Sequence, residues 1–377
     1  MQSIFARILG VNAARHRNEP TDVLFSLWRS HTDNALYLQN LADQRTESDN
    51  DRLITQIRAS QNAVLAIESE LRRRTIEPPV NEEAGHGAGA SLRSVAFDCA
   101  LSSNGDTLVA AMVEKYLSVW DSPRRFRVNL IGHTGVVYCC AVSADTNMVV
   151  SGSGDRTIRL WNARTGAENR TLIGHDDAVL GCALSPDGRL IVSASADQTL
   201  KVWDARTGTE RVTARGHTDR IWGCAIRRDG RLMVSASADQ TLKVWDTRTG
   251  KQQATLRGHT DCVNGCVLSS DGTLIVSASA DHTLKLWTLD KPSARATLTG
   301  HAAPVRDCAL NADSTRMCSL SADNTLKIWD MATLACLATV AIDGVFLKCA
   351  WHPAQDQIVL AGDTGLRWVN LKEQPCP

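Results

Sequence analysis

No apolar run approaches the roughly 18 residues that a membrane-spanning helix needs, so the sequence predicts no membrane span and no membrane partner. Net charge is also lacking, because 41 lysines and arginines balance 41 aspartates and glutamates. Such a chain has no overall attraction to polyanions, so we do not expect a nucleic-acid partner. The segment Met1–Asn12 contains Arg7 and no small-residue cleavage site, so we expect no signal peptide and a cytoplasmic protein.

Motifs that hold metals and cofactors are missing as well. The 12 cysteines contain no C-x-x-C pair, and the chain has neither a P-loop nor a Rossmann fingerprint. We therefore expect no metal and no cofactor. Cysteines instead recur once per 42 residues, a pattern typical of small buried side chains in a reducing compartment, at Cys140, Cys182, Cys224, Cys266 and Cys308.

Aromatic residues make up only 5% of the chain, yet 10 of them are tryptophan. A repeat explains this imbalance, because five Gly-His pairs and five tryptophans recur at the same interval of 42 residues. The histidines of these pairs are His133, His175, His217, His259 and His301. The matching tryptophans, each 28 residues further on, are Trp161, Trp203, Trp245, Trp287 and Trp329.

Within one repeat the pattern indicates four short strands. In the unit 174–215, Leu180, Cys182 and Leu184 alternate as one strand, which the turn Ser185–Gly188 ends. Three further strands are predicted at Leu190–Ser195, Leu200–Trp203 and Arg211–Ala214. Four antiparallel strands per unit, stacked radially, would bury both faces of each small sheet.

The unit GHDDAVLGCALSPDGRLIVSASADQTLKVWD and its four near copies resemble the WD-repeat family. Degenerate units flank them at Cys99–Asp121 and Cys349–Trp368. The resemblance covers residues 93–377 and implies an all-β fold, a seven-bladed β-propeller of four-stranded antiparallel blades. It also implies that an N-terminal strand closes the last blade, for which the candidate is the glycine- and alanine-rich segment Gly85–Leu92.

The resemblance further implies that a hydrogen-bonded tetrad of His, Ser, Asp and Trp locks each complete blade. The sets are His133, Ser151, Asp155 and Trp161; His175, Ser193, Asp197 and Trp203; His217, Ser235, Asp239 and Trp245; His259, Ser277, Asp281 and Trp287; and His301, Ser319, Asp323 and Trp329. The two degenerate units keep Trp120 and Trp368 without a full set, so we expect blades one and seven to be the least stable.

Serine, histidine and aspartate also form the catalytic set of many hydrolases. Here the set occurs five times, the serine lies within a strand, and no oxyanion-hole loop accompanies it. We therefore interpret the set as structural, predict no enzymatic activity and assign no catalytic residue.

The repeats differ at a few positions that follow the histidine or the turn aspartate. We predict that these positions lie in loops at one end of the ring and bind a partner there, since aromatic residues and arginine dominate interface hot spots. Neutral drift of exposed loops is the alternative, and Leu180 is expected to face the core instead. The predicted binding residues are Val136, Tyr138, Arg156, Ala178, Arg220, Trp222, Gln240, Cys262, Asn264, His282, Pro304 and Arg306.

Residues 1–80 have a different character, with ten arginines and no lysine. Within 49–74 a heptad pattern of about three repeats predicts a helix with the seam Leu53, Ile57, Ser60, Val64, Ile67 and Leu71. Either this seam forms a coiled coil with a second copy of the chain, or the helices make a compact adaptor bundle. Residues 81–92 are predicted to be a flexible linker and closing strand.

These patterns together predict a non-enzymatic scaffold or sensor for protein–protein interaction, of the kind found in signalling. The loop face would capture a protein or peptide, and the helical region would give oligomerisation or coupling to an effector. The alternative is a regulatory or targeting subunit of an enzyme complex whose chemistry lies in another chain.

Overall fold

The computed structural model describes residues 95–121, 125–289 and 291–371, and the 27 regular elements assigned there are all β-strands. Consecutive strands pair antiparallel within seven separate sheets. The predicted all-β, seven-bladed propeller is therefore confirmed. The predicted helical region 1–80 and the linker 81–92 lie outside the described residues.

Each blade is an antiparallel meander built from consecutive strands. The strands of blades one to three are β1 (Ala96–Leu101), β2 (Thr107–Met112), β3 (Tyr116–Asp121), β4 (Arg125–Ile131), β5 (Val137–Val142), β6 (Met148–Ser153), β7 (Thr157–Asn162), β8 (Glu168–Ile173), β9 (Val179–Leu184), β10 (Leu190–Ser195), β11 (Thr199–Asp204) and β12 (Glu210–Arg215). Those of blades four to six are β13 (Ile221–Ile226), β14 (Leu232–Ser237), β15 (Leu242–Asp246), β16 (Gln252–Leu256), β17 (Val263–Leu268), β18 (Leu274–Ser279), β19 (Leu284–Thr288), β20 (Ala296–Leu298), β21 (Val305–Leu310), β22 (Arg316–Ser321), β23 (Thr325–Asp330) and β24 (Cys336–Ala341). Blade seven contains β25 (Phe346–Trp351), β26 (Gln357–Gly362) and β27 (Gly365–Asn370).

The first strands of the blades are innermost, since each contacts the first strands of both neighbouring blades. Because the strands alternate in direction, the tetrad histidines and the turn aspartates lie at one end of the ring. We call this end the His–Asp face. The turns after the first and third strands lie at the other end, which we call the opposite face.

The ring closes between blades seven and one. Strand β25 contacts β1, and one core cluster joins Ala96 and Leu108 of blade one to Val359 and Ala361 of blade seven. The Sγ atom of Cys99 lies 3.9 Å from the carbonyl oxygen of Val359. Packing between blades is thus continuous around the ring.

The repeated cysteines contribute to the same packing. The Sγ atoms of Cys140, Cys182, Cys224 and Cys266 lie 3.6–3.9 Å from a carbonyl oxygen on the second strand of the preceding blade. Burial raises the pKa of the Cys140 thiol well above its usual value. Each of these cysteines therefore acts as a small side chain between blades.

Blade seven differs from the other six, because it has three strands within the described residues. The segment predicted to close it, Gly85–Leu92, lies outside the described part of the chain. In that part, no helix is long and apolar enough to cross a membrane.

Candidate partner-binding face

Four side chains are joined by hydrogen bonds in each complete blade. In blade three, His175 Nδ1 lies 2.7 Å from Asp197 Oδ2, and Nε2 lies 2.7 Å from Ser193 Oγ. The indole nitrogen of Trp203 donates to the same serine oxygen at 2.8 Å. Blades two, four, five and six repeat these three contacts at 2.6–2.9 Å.

The tryptophan fixes the direction of one hydrogen bond. Its indole N–H can only donate, so Ser193 Oγ accepts from Trp203 and keeps its own proton and a second lone pair for its other contacts, including His175 Nε2. The imidazole donates its Nδ1 proton to the carboxylate of Asp197. The four side chains are thereby joined through one serine and one histidine.

The pKa shifts in blade five agree with this proton arrangement. Burial alone would raise the pKa of Asp281, but hydrogen bonds from Thr283 and His259 outweigh it and lower the pKa to about 2. Burial also lowers the pKa of His259, against the opposing effect of Asp281. The stable state is thus a carboxylate beside a neutral imidazole.

The tetrad serines are enclosed by the blades. All five have 0% exposure, at Ser151, Ser193, Ser235, Ser277 and Ser319. A serine nucleophile must reach a substrate carbonyl, and these hydroxyls are instead held between an indole and an imidazole. The geometry of the tetrads is that of a structural support.

Blades one and seven have apolar residues where the other blades have the tetrad serine. Ala110 stands there opposite Cys99, and Leu360 stands there opposite Cys349. In blade seven, Asp363 Oδ1 accepts from the backbone N–H of Val345 at 2.8 Å, and burial raises the pKa of this carboxyl. These two blades are stabilised by apolar packing rather than by a buried tetrad.

Each innermost strand contains a β-bulge near its start. In blade four, Ile221 pairs with Ser237 and Gly223 pairs with Ala236, so Trp222 is the extra residue of the bulge. Bulges redirect side chains and are frequent beside functional sites. We call the seven bulged residues the bulge ring: Phe97, Tyr138, Leu180, Trp222, Asn264, Arg306 and Leu347.

One part of the bulge ring is apolar. The rings of Phe97 and Tyr138 meet edge to face with centroids 5.9 Å apart. Tyr138 and Trp222 both pack against a buried cluster of Ala178, Leu180 and Ala196. These contacts make a continuous apolar surface across blades one to four.

The other part of the ring is polar and joins neighbouring blades. Asn264 Nδ2 donates to the carbonyl oxygen of Val305 at 2.8 Å, and Arg306 Nη1 donates to that of Phe346 at 2.9 Å. Arg220 adds a second guanidinium, 5.6 Å from the ring centroid of Trp222. Four members of the ring are only half-buried and can contact a partner: Tyr138, Trp222, Arg306 and Leu347.

The structure corrects the predicted placement of several binding residues. Tyr138, Trp222, Asn264 and Arg306 lie in innermost strands rather than in loops. Bulges cannot be read from one strand alone, because they depend on the register with the neighbouring strand. The residues at the third position after each histidine differ in exposure. Two are buried, Val136 and Ala178, and three are half-buried, Arg220, Cys262 and Pro304.

The residues that follow the turn aspartates are exposed but constrained. Arg156, Gln240 and His282 have φ angles of 69°, 68° and 69°, in the left-handed region that β-branched residues avoid. Their variation between blades is therefore limited by the turn as well as by any partner.

Two members of the bulge ring were missed by the sequence reasoning. Phe97 and Leu347 belong to the degenerate blades, which lack the Gly-His pair from which the other positions were counted. The cysteine two residues later, Cys99 or Cys349, marks the same register and could have identified both.

Next to the bulge ring, three charged side chains join blades six, seven and one. Lys348 Nζ lies 3.2 Å from Asp307 Oδ1, while Asp307 Oδ2 accepts from the backbone N–H of Cys349 at 2.9 Å. Asp98 Oδ2 accepts from the backbone N–H of Cys140 at 2.8 Å. Burial raises the pKa of Asp98 to about 6, an effect that Lys348 partly offsets. No group of three or more metal-ligating side chains occurs among the described residues.

Comparison with known proteins gives short matches to subunits and factors of larger assemblies. Eukaryotic translation initiation factor 3 subunit I of Schizosaccharomyces pombe is 40% identical over 66 residues, which are 17% of this chain and 20% of that protein. Pre-mRNA-splicing factor prp46 of Aspergillus fumigatus is 30% identical over 122 residues, which are 30% of this chain and 27% of that protein. The chain therefore spans only about a fifth to a quarter of the length of these relatives.

The repeats themselves match a family model over a larger share of the chain. The WD domain, G-beta repeat, matches residues 124–162, 166–204, 208–246, 250–288 and 293–330. These ranges contain the five tetrads and the first three strands of blades two to six, and together they make up just over half of the sequence. The chain belongs to the WD-repeat family.

Proposed function

We propose that this chain is a non-enzymatic interaction subunit that captures a partner protein on its His–Asp face. The bulge ring carries this proposal. All seven blades keep the bulge and five keep the same tetrad, yet the bulged residue is of six different kinds, with only leucine occurring twice, in blades three and seven. A constant frame with one variable, redirected side chain per blade is suited to recognition.

The chemistry of the ring favours a protein partner. Tyrosine, tryptophan and arginine are the side chains that carry most binding energy at protein interfaces. Half-buried Tyr138 and Trp222 offer apolar surface, Arg220 lies over the ring of Trp222, and half-buried Arg306 belongs to the polar part of the bulge ring. A segment with an apolar anchor and an acceptor for arginine would match this surface.

Several observations support a role without catalysis. The tetrad serines have no exposed surface, and their hydroxyls are bonded to tryptophan and histidine. The five sets are equivalent, which suits a repeated support better than a single reaction centre.

We assign the remaining regions by the sequence pattern. Residues 93–377 would form the binding domain, 81–92 the linker and closing strand, and 1–80 a helical region that gives oligomerisation through 49–74 or couples capture to a signalling effector. Cysteines support a cytoplasmic location, because the eleven within the described residues form no disulfide bond with one another.

A second candidate function is a regulatory or targeting subunit of an enzyme complex. The two relatives, a translation initiation factor subunit and a splicing factor, favour membership of a larger assembly. Both candidates use the same face for binding. They differ in whether an enzyme is recovered in stoichiometric amount with the chain.

Blades three and four are near copies, so residues of blade three can be substituted at the equivalent positions of blade four as a direct test. The double variant Arg220→Ala, Trp222→Leu places the blade-three residues in the bulge of blade four. We expect at least a tenfold loss of affinity for the partner recovered from the native host, since truncating a central interface residue typically costs 2 kcal/mol or more (roughly 30-fold). Affinity is measured by titrating the purified partner with full-length protein.

The control variant is Gln253→Arg, which introduces the blade-three residue on the exposed outer strand of the same blade. It should bind the partner as the wild type does. Equal affinity of the bulge variant and the wild type would refute capture by the bulge ring.

A further inference from the structure

The turn between the first and second strands of blade four is unlike its counterpart in blade three. In blade three, Ser185 Oγ donates to Asp187 at 2.6 Å and accepts from the backbone N–H of Leu190 at 2.9 Å. Blade four has Arg227 in place of this serine, and its Nε donates to Asp229 at 2.9 Å. In blade four, an ion pair between Arg227 and Asp229 therefore takes the place of the hydrogen bonds made by the serine. The next residue, Arg228, is an exposed arginine.

Two hydrogen bonds bring other arginines together on the same face. The backbone N–H of Thr247 donates to the carbonyl of Arg231 at 3.0 Å, which sets Arg231 beside Arg248. In blade three, the N–H of Ala205 donates to the carbonyl of Arg189 at 2.9 Å, which sets that residue beside Arg206. Each blade thus presents a pair of arginines from two adjacent turns.

Single carboxylates lie near three of these guanidinium groups, since Arg231 interacts electrostatically with Asp229, Arg248 with Asp246 and Arg189 with Asp187. Within the described part of the chain, the side chains of Arg206, Arg228, Arg231 and Arg248 are exposed and form neither an ion pair nor a hydrogen bond. Arg189 only approaches Asp187, at 3.8 Å between exposed groups.

The nearby carboxylates are used by the turns themselves. Asp246 Oδ1 accepts from the backbone N–H groups of Arg248 and Thr249, and Asp187 Oδ1 accepts from that of Arg189. Side-chain hydrogen bonds from Thr249 and Ser185 lower the pKa of Asp246 and Asp187, respectively, with further lowering from these backbone bonds and from the charges of Arg248 and Arg189. Like charges placed side by side repel each other unless an anion lies between them.

Clefts flank the turn of Arg228 on both sides. One, of about 570 Å³, lies between blades three and four, and its charged lining residues are Arg211, Arg231, Arg248 and Asp246. The other, of about 670 Å³, lies between blades four and five, and its charged lining residues are Arg227, Arg228, Asp229 and Asp271. No aromatic side chain lines either cleft, so neither offers the stacking surface on which single-stranded nucleic acid binds.

We propose that the opposite face of blades three and four is a second interaction surface, which binds an acidic segment of a partner protein rich in aspartate and glutamate. The paired arginines Arg189 and Arg206, and Arg231 and Arg248, with Arg228 between the two clefts, receive its carboxylates. Guanidinium groups are suited to this role because they bind carboxylates through two parallel hydrogen bonds. This surface does not involve the bulge ring, so either interaction can exist without the other.

The test measures binding of a fluorescein-labelled decaglutamate peptide to the full-length protein at low and moderate salt. The variant combines Arg189→Thr, Arg206→Ala, Arg231→Thr and Arg248→Ala, since blade six has Thr315 and Ala332 at the equivalent places. We expect saturable binding that weakens with salt and falls on the order of tenfold or more in the variant, because four charge pairs of modest strength are lost.

Two comparisons keep the result specific to this surface. The control Arg215→Thr, Arg257→Thr removes exposed arginines at the end of the outer strands nearest the His–Asp face, and should bind the peptide within twofold of wild type, roughly the effect of a remote exposed charge. The four-residue variant should keep the wild-type circular dichroism spectrum. An equal loss in the control, unchanged binding in the variant, or tighter binding of a ten-residue thymidine oligonucleotide than of the peptide would overturn the proposal.

Discussion

In each complete tetrad a single serine hydroxyl accepts from the tryptophan and also forms a hydrogen bond with the histidine. Removing that oxygen would leave a buried indole N–H and a buried imidazole nitrogen without their hydrogen bonds. A buried polar group that loses its partner costs about 1–3 kcal/mol. The serine therefore contributes more than its size suggests, although it never meets a ligand.

Ser235→Ala tests this role in blade four, where Ser235 lies 2.7 Å from His217 Nε2 and accepts from Trp245 at 2.8 Å. We expect the free energy of unfolding to fall by about 2–4 kcal/mol in a urea titration, since two buried groups lose a partner. Ser293→Ala, a change at an exposed serine, serves as the control and should alter stability little. A loss below about 0.5 kcal/mol in Ser235→Ala would show that the tetrad does not support the blade.

The tetrad residues could be identified from sequence because their spacing is the same in five blades. Their hydrogen bonds follow from chemistry, since a buried serine, histidine and aspartate at one site must satisfy each other. Individual exposure could not be predicted in the same way. Asn264 was expected to bind a partner, but it is buried and donates to the carbonyl of Val305 in the next blade.

At the scale of the strand, the bulge decides which side chain of the innermost strand is redirected. The fixed spacing from the Gly-His pair identified Tyr138, Trp222 and Arg306 as variable positions, but the prediction that they lie in loops was wrong. Their actual position depends on a register shift between two strands, which the sequence of one strand does not contain. The strands themselves were easier to predict, because apolar runs and turn residues alternate in every unit.

The innermost strands also carry the carboxylates that tie one blade to the next. Asp98 of β1 binds the backbone of Cys140 in β5, and Asp307 of β21 binds that of Cys349 in β25. Lys348 offsets part of their charge. The raised pKa of Asp98, about 6, means that the folded protein holds this proton more tightly than the unfolded chain, where the pKa is about 3.9.

A pH series with Asp98→Asn tests this arrangement. The stability that Asp98 contributes is fully present below about pH 4 and is lost as the pH rises through about 6, because ionisation is then costlier in the folded state. Asparagine does not ionise, so the melting temperature of the variant relative to wild type should rise between pH 5 and pH 7.5. The measurement is thermal unfolding by circular dichroism at closely spaced pH values. Parallel curves for the two proteins would contradict the raised pKa.

On the scale of the whole molecule, the ring separates two surfaces. The His–Asp face presents the bulge ring, and the opposite face presents the arginines of blades three and four. Ring closure could be predicted only in part, because blades one and seven keep a cysteine and a tryptophan but lose the tetrad. Their contact depends on apolar packing, such as that of Leu108 with Val359, which leaves no motif in the sequence.

Site-specific photo-crosslinking in the native host tests the central claim that the bulge ring captures a partner. Full-length protein would carry p-benzoylphenylalanine in place of Tyr138 or Trp222, with Ile173, which is 79% exposed at the end of an outer strand, as the control position. We predict that one protein crosslinks from both ring positions and not from Ile173. Crosslinking of the partner from Ile173 alone, or no crosslink from either ring position while the partner still co-purifies, would contradict the account.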